Sequence, residues 1–228
     1  MSRYGEVIKR FKTLKLDGAF LTSYTATMGI KELHLVPVAN PVNLSGESTS
    51  QGYIFVRKDS DIRSMVDMEG GNIVFVDPAT MEGYLFPLEF FQQHGVKDIN
   101  KFFERQYFSG SHVSAIFAVL DGRADIGAAK DTFYDDLVSK DPSIEQELEI
   151  VANSPKVPEV TLCIKSEIDQ DLRENLSNVL LDMDKTPDGI KVLQKFKAIR
   201  FVKSRKEDFV IIEKMAQKVL GALTINGR

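Results

Sequence analysis

The sequence predicts an α/β protein with two lobes, each a β-sheet flanked by helices. Short apolar runs of roughly four to eight residues alternate along the chain with longer segments of helical periodicity, which is the pattern of α/β folds. Two segments rich in Ser, Gly, Asn and Pro interrupt this alternation. The 228 residues, 43% of them hydrophobic, supply enough apolar surface for a substantial core.

The apolar and polar periodicities place the individual elements. Predicted strands are 18–21, 33–37, 53–57, 73–76, 105–107, 126–129, 149–152 and 160–164. Predicted helices are 3–14, 23–28, 64–68, 82–94, 111–120, 132–138, 169–181, 187–195 and 206–223.

The two irregular segments, 40–52 and 153–159, are interpreted as crossings between compact units. They divide the chain into a first lobe, residues 1–52 with 159–228, and a second lobe, residues 53–158. Two lobes joined by two crossings enclose a cleft.

Composition and local sequence segments limit the classes of partner and the location that the chain can have. A net charge of -4, with 29 Lys and Arg spread along the chain, argues against a nucleic-acid partner. Cys163 lies in the alternating run TLCIK and is expected to be a small buried hydrophobe. No apolar run approaches the ~20 residues of a membrane span, and MSRYGEVIKRF lacks a signal-peptide core. The chain is therefore either cytosolic or one whose leader has been removed.

The stretch FVDPATMEGYLFP, residues 75–87, predicts an anion site at a helix start. A strand ends at Asp77, and the backbone N–H groups of Thr80, Met81 and Glu82 would open the following helix, where the helix dipole favours negative charge. The alternative is structural: Thr80 would be an N-cap and Glu82 a favourable acid in the first turn.

The stretch YFSGSHVSAIFAVL, from residue 107, repeats the same arrangement. His112 stands in the first turn of a helix, where it can donate to an anion and where the dipole favours the neutral imidazole. Ser109 and Ser111 would alternatively serve as caps. Two such helix starts in one lobe favour a ligand site, because ligands of open α/β sheets bind outside the carboxyl ends of strands.

A third helix start, Thr22 to Tyr24, lies in the other predicted lobe. The amphipathic Tyr24 could close on a ligand from the opposite wall, or be an ordinary core or surface tyrosine.

Signatures of enzymes are weak. The chain has no Gly-x-Ser-x-Gly, P-loop, HExxH or CxxC motif, and its three histidines lack metal-ligand spacing. No catalytic residue, metal or cofactor is therefore predicted. An enzyme that uses His112 as a general base stays an alternative, which would need a nucleophile such as Ser109 or Ser111 within hydrogen-bond reach.

The order VDPATMEGYLFP, FSGSH, AVLDGRADIGA, NSPKVP and PDGIKVL resembles the phosphate/phosphonate-type substrate-binding proteins of ABC transporters, over about residues 17–209. The resemblance implies a two-lobed periplasmic-binding-protein fold of type 2, in which a small oxyanion ligand is gripped as the lobes close. The implied partner is an ABC permease in the membrane. It also implies a ligand site formed by Thr80, Met81 and Glu82 with His112, its neighbour Ser111 and Tyr24.

The sequence departs from the family pattern at the first helix start. Where the family reads Ser-Thr-Ser, this chain reads Thr80, Met81 and Glu82, and a desolvated carboxylate facing the ligand would repel an anion. Either Glu82 faces away or the ligand differs. Asp131 and Glu159 lie only near the places of the acids that hold amino-phosphonates, which argues against that ligand.

The family pattern also begins about 50 residues earlier, with a signal peptide, a first strand and its helix. The first lobe is therefore expected to be incomplete, with an open sheet edge that would favour a homodimer. The implied location is periplasmic, or extracytoplasmic and membrane-anchored. A ligand-sensing domain of the same fold, or a variant with altered or lost ligand binding, is the alternative function.

Overall fold

A computed structural model of the protein describes residues 6–13 and 16–221. The strands are β1 (Gly18–Thr22), β2 (Val36–Asn43), β3 (Thr49–Ser50), β4 (Gly52–Arg57), β5 (Asn72–Phe75), β6 (Arg105–Phe108), β7 (Ile126–Lys130), β8 (Leu148–Asn153), β9 (Val157–Pro158), β10 (Val160–Ile164) and β11 (Ala198–Lys203). The α-helices are α1 (Glu6–Thr13), α2 (Ser23–Glu32), α3 (Phe86–Gln93), α4 (Ile99–Phe102), α5 (His112–Leu120), α6 (Asp131–Lys140), α7 (Ser143–Glu147), α8 (Gln170–Leu181), α9 (Pro187–Phe196) and α10 (Val210–Leu220).

Two sheets of different construction organise these elements. The first sheet has the order β1-β10-β2-β11 and is antiparallel throughout. The second sheet has the order β6-β5-β7-β4-β8, in which β5 runs parallel to both β6 and β7 while β4 is antiparallel to its neighbours. The carboxyl ends of β5, β6 and β7 therefore meet at one edge of the second sheet.

A short antiparallel ribbon of β3 and β9 lies where the chain passes between the sheets. Thr49 pairs with Pro158, and Ser50 pairs with Val157. The chain enters the second sheet after β3 and leaves it before β9, so both crossings run through this ribbon. The domain limits given above stay a prediction.

The predicted break at residue 40 is wrong, because β2 continues to Asn43. Asn40 is accommodated inside the strand because its side-chain amide donates to the Val160 carbonyl (3.1 Å) and to Thr161 Oγ1 (2.7 Å). The extended β2 pairs on its other side with β11, a strand that the sequence analysis missed.

The predicted helix 82–94 is in fact two helical pieces, a π-helical turn over Met81–Leu85 followed by α3. Pro87 has no N–H to donate to the carbonyl four residues earlier, which is that of Gly83. That carbonyl instead accepts from the N–H of Val76 at 3.0 Å, while the Leu85 N–H donates to the Thr80 carbonyl at 3.1 Å. The hydrogen bond from the Val76 N–H, made to a carbonyl that proline leaves free, thus links the turn to the end of β5.

Other differences are smaller. The predicted helix 64–68 is a 3₁₀ turn over Val66–Met68, and the predicted helix 206–223 begins as a 3₁₀ turn over Lys206–Phe209 before α10. Helices α4 and α7 were not predicted. Residues 3–5, 14, 222 and 223 of the predicted terminal helices lie outside the described residues.

The core continues across both sheets. One buried cluster joins Leu21 and Tyr24 of the first sheet region with Met81 and Phe91 of the second, and α10 packs against both α2 and α3. Cys163 is fully buried as predicted, and burial raises the pKa of its thiol to about 12. In the described part of the chain, no helix is long and apolar enough to cross a bilayer.

Gly83 is required by the close approach of the π-helical turn to β5. A Cβ at this position would lie 2.5 Å from two atoms of the Val76 side chain. We predict that Gly83→Ala lowers the free energy of unfolding by about 1–3 kcal/mol, as overpacked core substitutions do, measured by urea denaturation.

The matched control for this substitution is Gly29→Ala in α2. There the three atoms nearest to the new methyl group belong to the flexible Leu35 and Leu21 side chains, and alanine favours the helix. Equal effects of the two substitutions would contradict a specific constraint at Gly83.

Candidate functional site

The candidate site lies at the edge of the second sheet where the three parallel strands end. The π-helical turn follows β5, α5 follows β6, and α6 follows β7, so three helical segments begin at this edge. Lys130 is the last residue of β7. The region of the ribbon of β3 and β9 contacts Lys130 through Glu159 and its partner Glu82 through Ser50. This is the position at which open α/β sheets hold ligands.

A buried ion pair between Lys130 and Glu82 lies at the centre of this edge. Lys130 Nζ is 3.5 Å from Glu82 Oε1, and the two side chains are 5% and 2% exposed. Two residues of the ribbon region complete the cluster. The Ser50 hydroxyl donates to Glu82 Oε1 at 3.0 Å, and Glu159 Oε1 lies 3.9 Å from Lys130 Nζ.

Both members of the ion pair are held in their charged forms. Burial alone would raise the pKa of Glu82, but Lys130, the backbone N–H of Glu82 itself and the Ser50 hydroxyl outweigh it and keep the pKa below its ordinary value. Burial alone would lower the pKa of Lys130, but Glu82 and Glu159 outweigh it and raise the pKa. The site therefore contains two carboxylates around one ammonium.

His112 is joined to the same cluster through the backbone. Its ring Nδ1 accepts a hydrogen bond from the Lys130 N–H at 3.0 Å, so the neutral imidazole carries its proton on Nε2. The ring is 4% exposed and stacks on Phe133 with 4.9 Å between centroids. Burial lowers the pKa of His112 to about 4, which makes it a neutral donor at physiological pH.

Thr80 and the Met81 side chain make contacts within the protein. The Thr80 N–H and hydroxyl both donate to the Asp77 carbonyl, at 3.0 and 2.6 Å, so the predicted free N–H of Thr80 is not free. The Met81 side chain is fully buried in the apolar cluster that spans both sheets. Glu82, which was expected either to face away or to signal a different ligand, points inward to Lys130.

Ser111 is the N-cap of α5, the structural alternative in the sequence analysis. Its hydroxyl accepts from the Ser114 N–H at 3.1 Å and donates to Ser114 Oγ at 2.8 Å. The Ser109 hydroxyl donates to the carbonyls of Phe75 and Ser111, at 3.1 and 2.9 Å. Neither serine is engaged with His112 in the arrangement that a nucleophile and its base require.

Tyr24 approaches from the first sheet region at the start of α2. Its side chain is 2% exposed, and burial, followed by Glu32 and Tyr84, raises its pKa to about 12. Among the described side chains, the buried polar atoms without a hydrogen-bond partner are the hydroxyls of Ser23, Tyr24 and Ser204. The structure thus places an unpartnered phenol in the same buried cluster as Met81.

Sequence reasoning missed Lys130 and Ser50. Lys130 ends a strand of five fully buried residues, and a lysine is buried only where it is paired, so GAAKD contained a usable signal. Ser50 gave no such signal, because it lies in an irregular Ser-rich segment. Asp131 follows Lys130, and burial raises the pKa of its carboxyl to about 6.

The described residues contain no group of three or more His, Cys, Asp or Glu side chains placed to hold a metal ion.

Comparison with known proteins connects this geometry to a family. The family of ABC transporter, phosphonate, periplasmic substrate-binding proteins matches residues 1–209. A phosphate-import protein of Mycolicibacterium smegmatis is 28% identical over 143 residues, which are 59% of this chain and 44% of that protein. The phosphonates-binding periplasmic protein of Escherichia coli is 22% identical over 218 residues, 93% of this chain and 64% of that protein. The chain thus spans between 44% and 64% of the length of these two curated relatives.

Solved structures support the same fold. A Xanthomonas citri protein bound to ATP superposes with a TM-score of 0.81 at 19% identity, covering 96% of this chain and 84% of that one. PhnD1 of Prochlorococcus marinus, in complex with methylphosphonate, superposes with a TM-score of 0.78 at 20% identity, with the same coverage of 96% and 84%. The predicted family and α/β fold are confirmed. The family consists of binding proteins rather than enzymes, and this chain belongs to the family of phosphonate ABC transporter periplasmic substrate-binding proteins.

Proposed function

We propose that this chain is the solute-binding component of an ABC uptake system and holds a small, phosphonate-type oxyanion at the carboxyl edge of the second sheet. Family membership supports this function, as does the methylphosphonate bound by the Prochlorococcus relative. The partner would be an ABC permease in the membrane. The location would be the periplasm, or another extracytoplasmic compartment with the protein membrane-anchored.

The observation that carries the proposal is the convergence of donors on one sheet edge. The ammonium of Lys130, the Nε2–H of neutral His112 and the start of the π-helical turn all lie within one connected cluster. Cationic and N–H donors at a helix start are what an oxyanion requires. Tyr24, with its unpartnered hydroxyl, is the proposed donor from the first sheet.

The contact between Glu82 and Lys130 favours a second candidate, a sensing domain or a variant with altered or lost ligand binding. In the proposed function an oxyanion must compete with a carboxylate already present. Solute binding separates the proposed function from a variant that has lost its ligand.

We expect methylphosphonate, phosphite or phosphate to raise the melting temperature of the protein. A solute at 100 times its Kd stabilises the folded state by ~2.7 kcal/mol. His112→Ala should abolish the shift because it removes the Nε2–H donor. The control is His94→Ala. His94 is exposed, and the hydrogen bond of its ring joins Nδ1 to the carbonyl of Phe90, in the preceding helix α3. No shift with any of the three anions would contradict the proposed function.

The neutral state of His112 gives a pH prediction. The folded pKa of about 4 lies below the ordinary 6.5, so the unfolded chain binds more protons between these values. This contribution to stability is complete above about pH 6.5 and is lost as the pH falls toward 4. His112→Asn keeps an acceptor for the Lys130 N–H but does not titrate.

Between pH 7 and pH 4, wild type should therefore lose about 3 kcal/mol of unfolding free energy relative to His112→Asn. Parallel urea denaturation curves over this range measure the difference. The raised pKa of Asp131 acts in the opposite direction in both proteins and cancels in the comparison. Parallel pH profiles of the two proteins would rule out a buried neutral imidazole.

A further inference from the structure

The carboxylate of Glu82 makes the contacts that an anionic ligand would seek. It lies 3.5 Å from the Lys130 ammonium and accepts from the Ser50 hydroxyl at 3.0 Å. An ammonium and a hydroxyl are usual partners of an oxyanion. In this structure the protein supplies the oxyanion itself.

We propose that Glu82 is an internal counter-anion that competes with the solute for Lys130 and so sets the affinity and charge preference of the site. This inference rests on the proposed function. Lys130 would be the cationic anchor of the ligand, and Glu82 would occupy its place until the ligand arrives. Neither role follows from the family pattern, which has serine and threonine at this helix start.

The charges around Lys130 support the competition. With Glu82 and Glu159 at 3.5 and 3.9 Å from Nζ, the cluster carries one negative charge in excess. An anion that enters while Glu82 stays in place meets this excess at short range, where low dielectric strengthens repulsion. An anion that displaces Glu82 instead pairs with the Lys130 ammonium in place of the carboxylate.

The ribbon links this exchange to the two crossings. Ser50 belongs to β3, and Glu159 directly follows β9, so Glu82 and Lys130 bind the second sheet to both strands of the ribbon. Release of Glu82 would break its contact with Ser50. The ammonium that holds the carboxylate would then hold the ligand.

The test is the affinity for methylphosphonate, measured by isothermal titration calorimetry on the full chain. Glu82→Gln removes the competing charge and keeps the shape, so affinity should rise at least about tenfold, which corresponds to ~1.4 kcal/mol. The double variant Glu82→Gln/Lys130→Met should lose this gain. Glu89→Gln, which neutralises a surface partner of Lys218, should bind as wild type does.

Ser50→Ala keeps the test decisive if Glu82→Gln fails to fold. Loss of one hydrogen bond to the carboxylate should raise the affinity for methylphosphonate by roughly threefold or more. If wild type binds methylphosphonate and both single variants bind it with the same or a lower affinity, the inference is wrong and the proposed function still stands. If wild type and the folded variants all fail to bind methylphosphonate, phosphite and phosphate, the proposed function and the inference fail together.

Discussion

A buried ammonium that needs a counter-ion is the constraint on which the candidate site depends. Lys130 ends β7, the central strand of the second sheet, with its side chain 5% exposed. Removing one partner of such a buried pair typically costs about 3–5 kcal/mol. Glu82 satisfies this requirement from the π-helical turn, and Glu159 adds to it from beside the ribbon. The backbone N–H of the same lysine fixes the tautomer of His112. Lys130 thus contacts the π-helical turn and the start of α5, and it directly precedes α6.

The backbone of the π-helical turn places Glu82 beside Lys130. Pro87 leaves the Gly83 carbonyl without its helical donor, Val76 supplies the donor, and the absence of a Cβ at Gly83 permits the contact. The turn is thereby held against the end of β5, with Met81 in the core and Glu82 beside Lys130.

The sequence sufficed for those features that depend on periodicity and motif order. Alternating apolar runs located most strands, and the resemblance gave the family and fold. Periodicity failed at Asn40 because a polar residue in a strand is satisfied only by partners distant in sequence, Val160 and Thr161. It failed at Lys130 for the same reason, since the carboxylate that makes its burial tolerable lies 48 positions earlier in the chain, at Glu82. Long-range pairing, rather than local preference, decided both places.

The most direct test of this account is a double-mutant cycle on the free energy of unfolding, with Glu82→Gln, Lys130→Met and their combination in buffer without oxyanions. Each single substitution leaves a buried polar or charged partner uncompensated and should cost about 3–5 kcal/mol, whereas the combination should cost much less than their sum. A coupling energy of about 2 kcal/mol or more is the predicted result. Costs that simply add would contradict the central role of the ion pair.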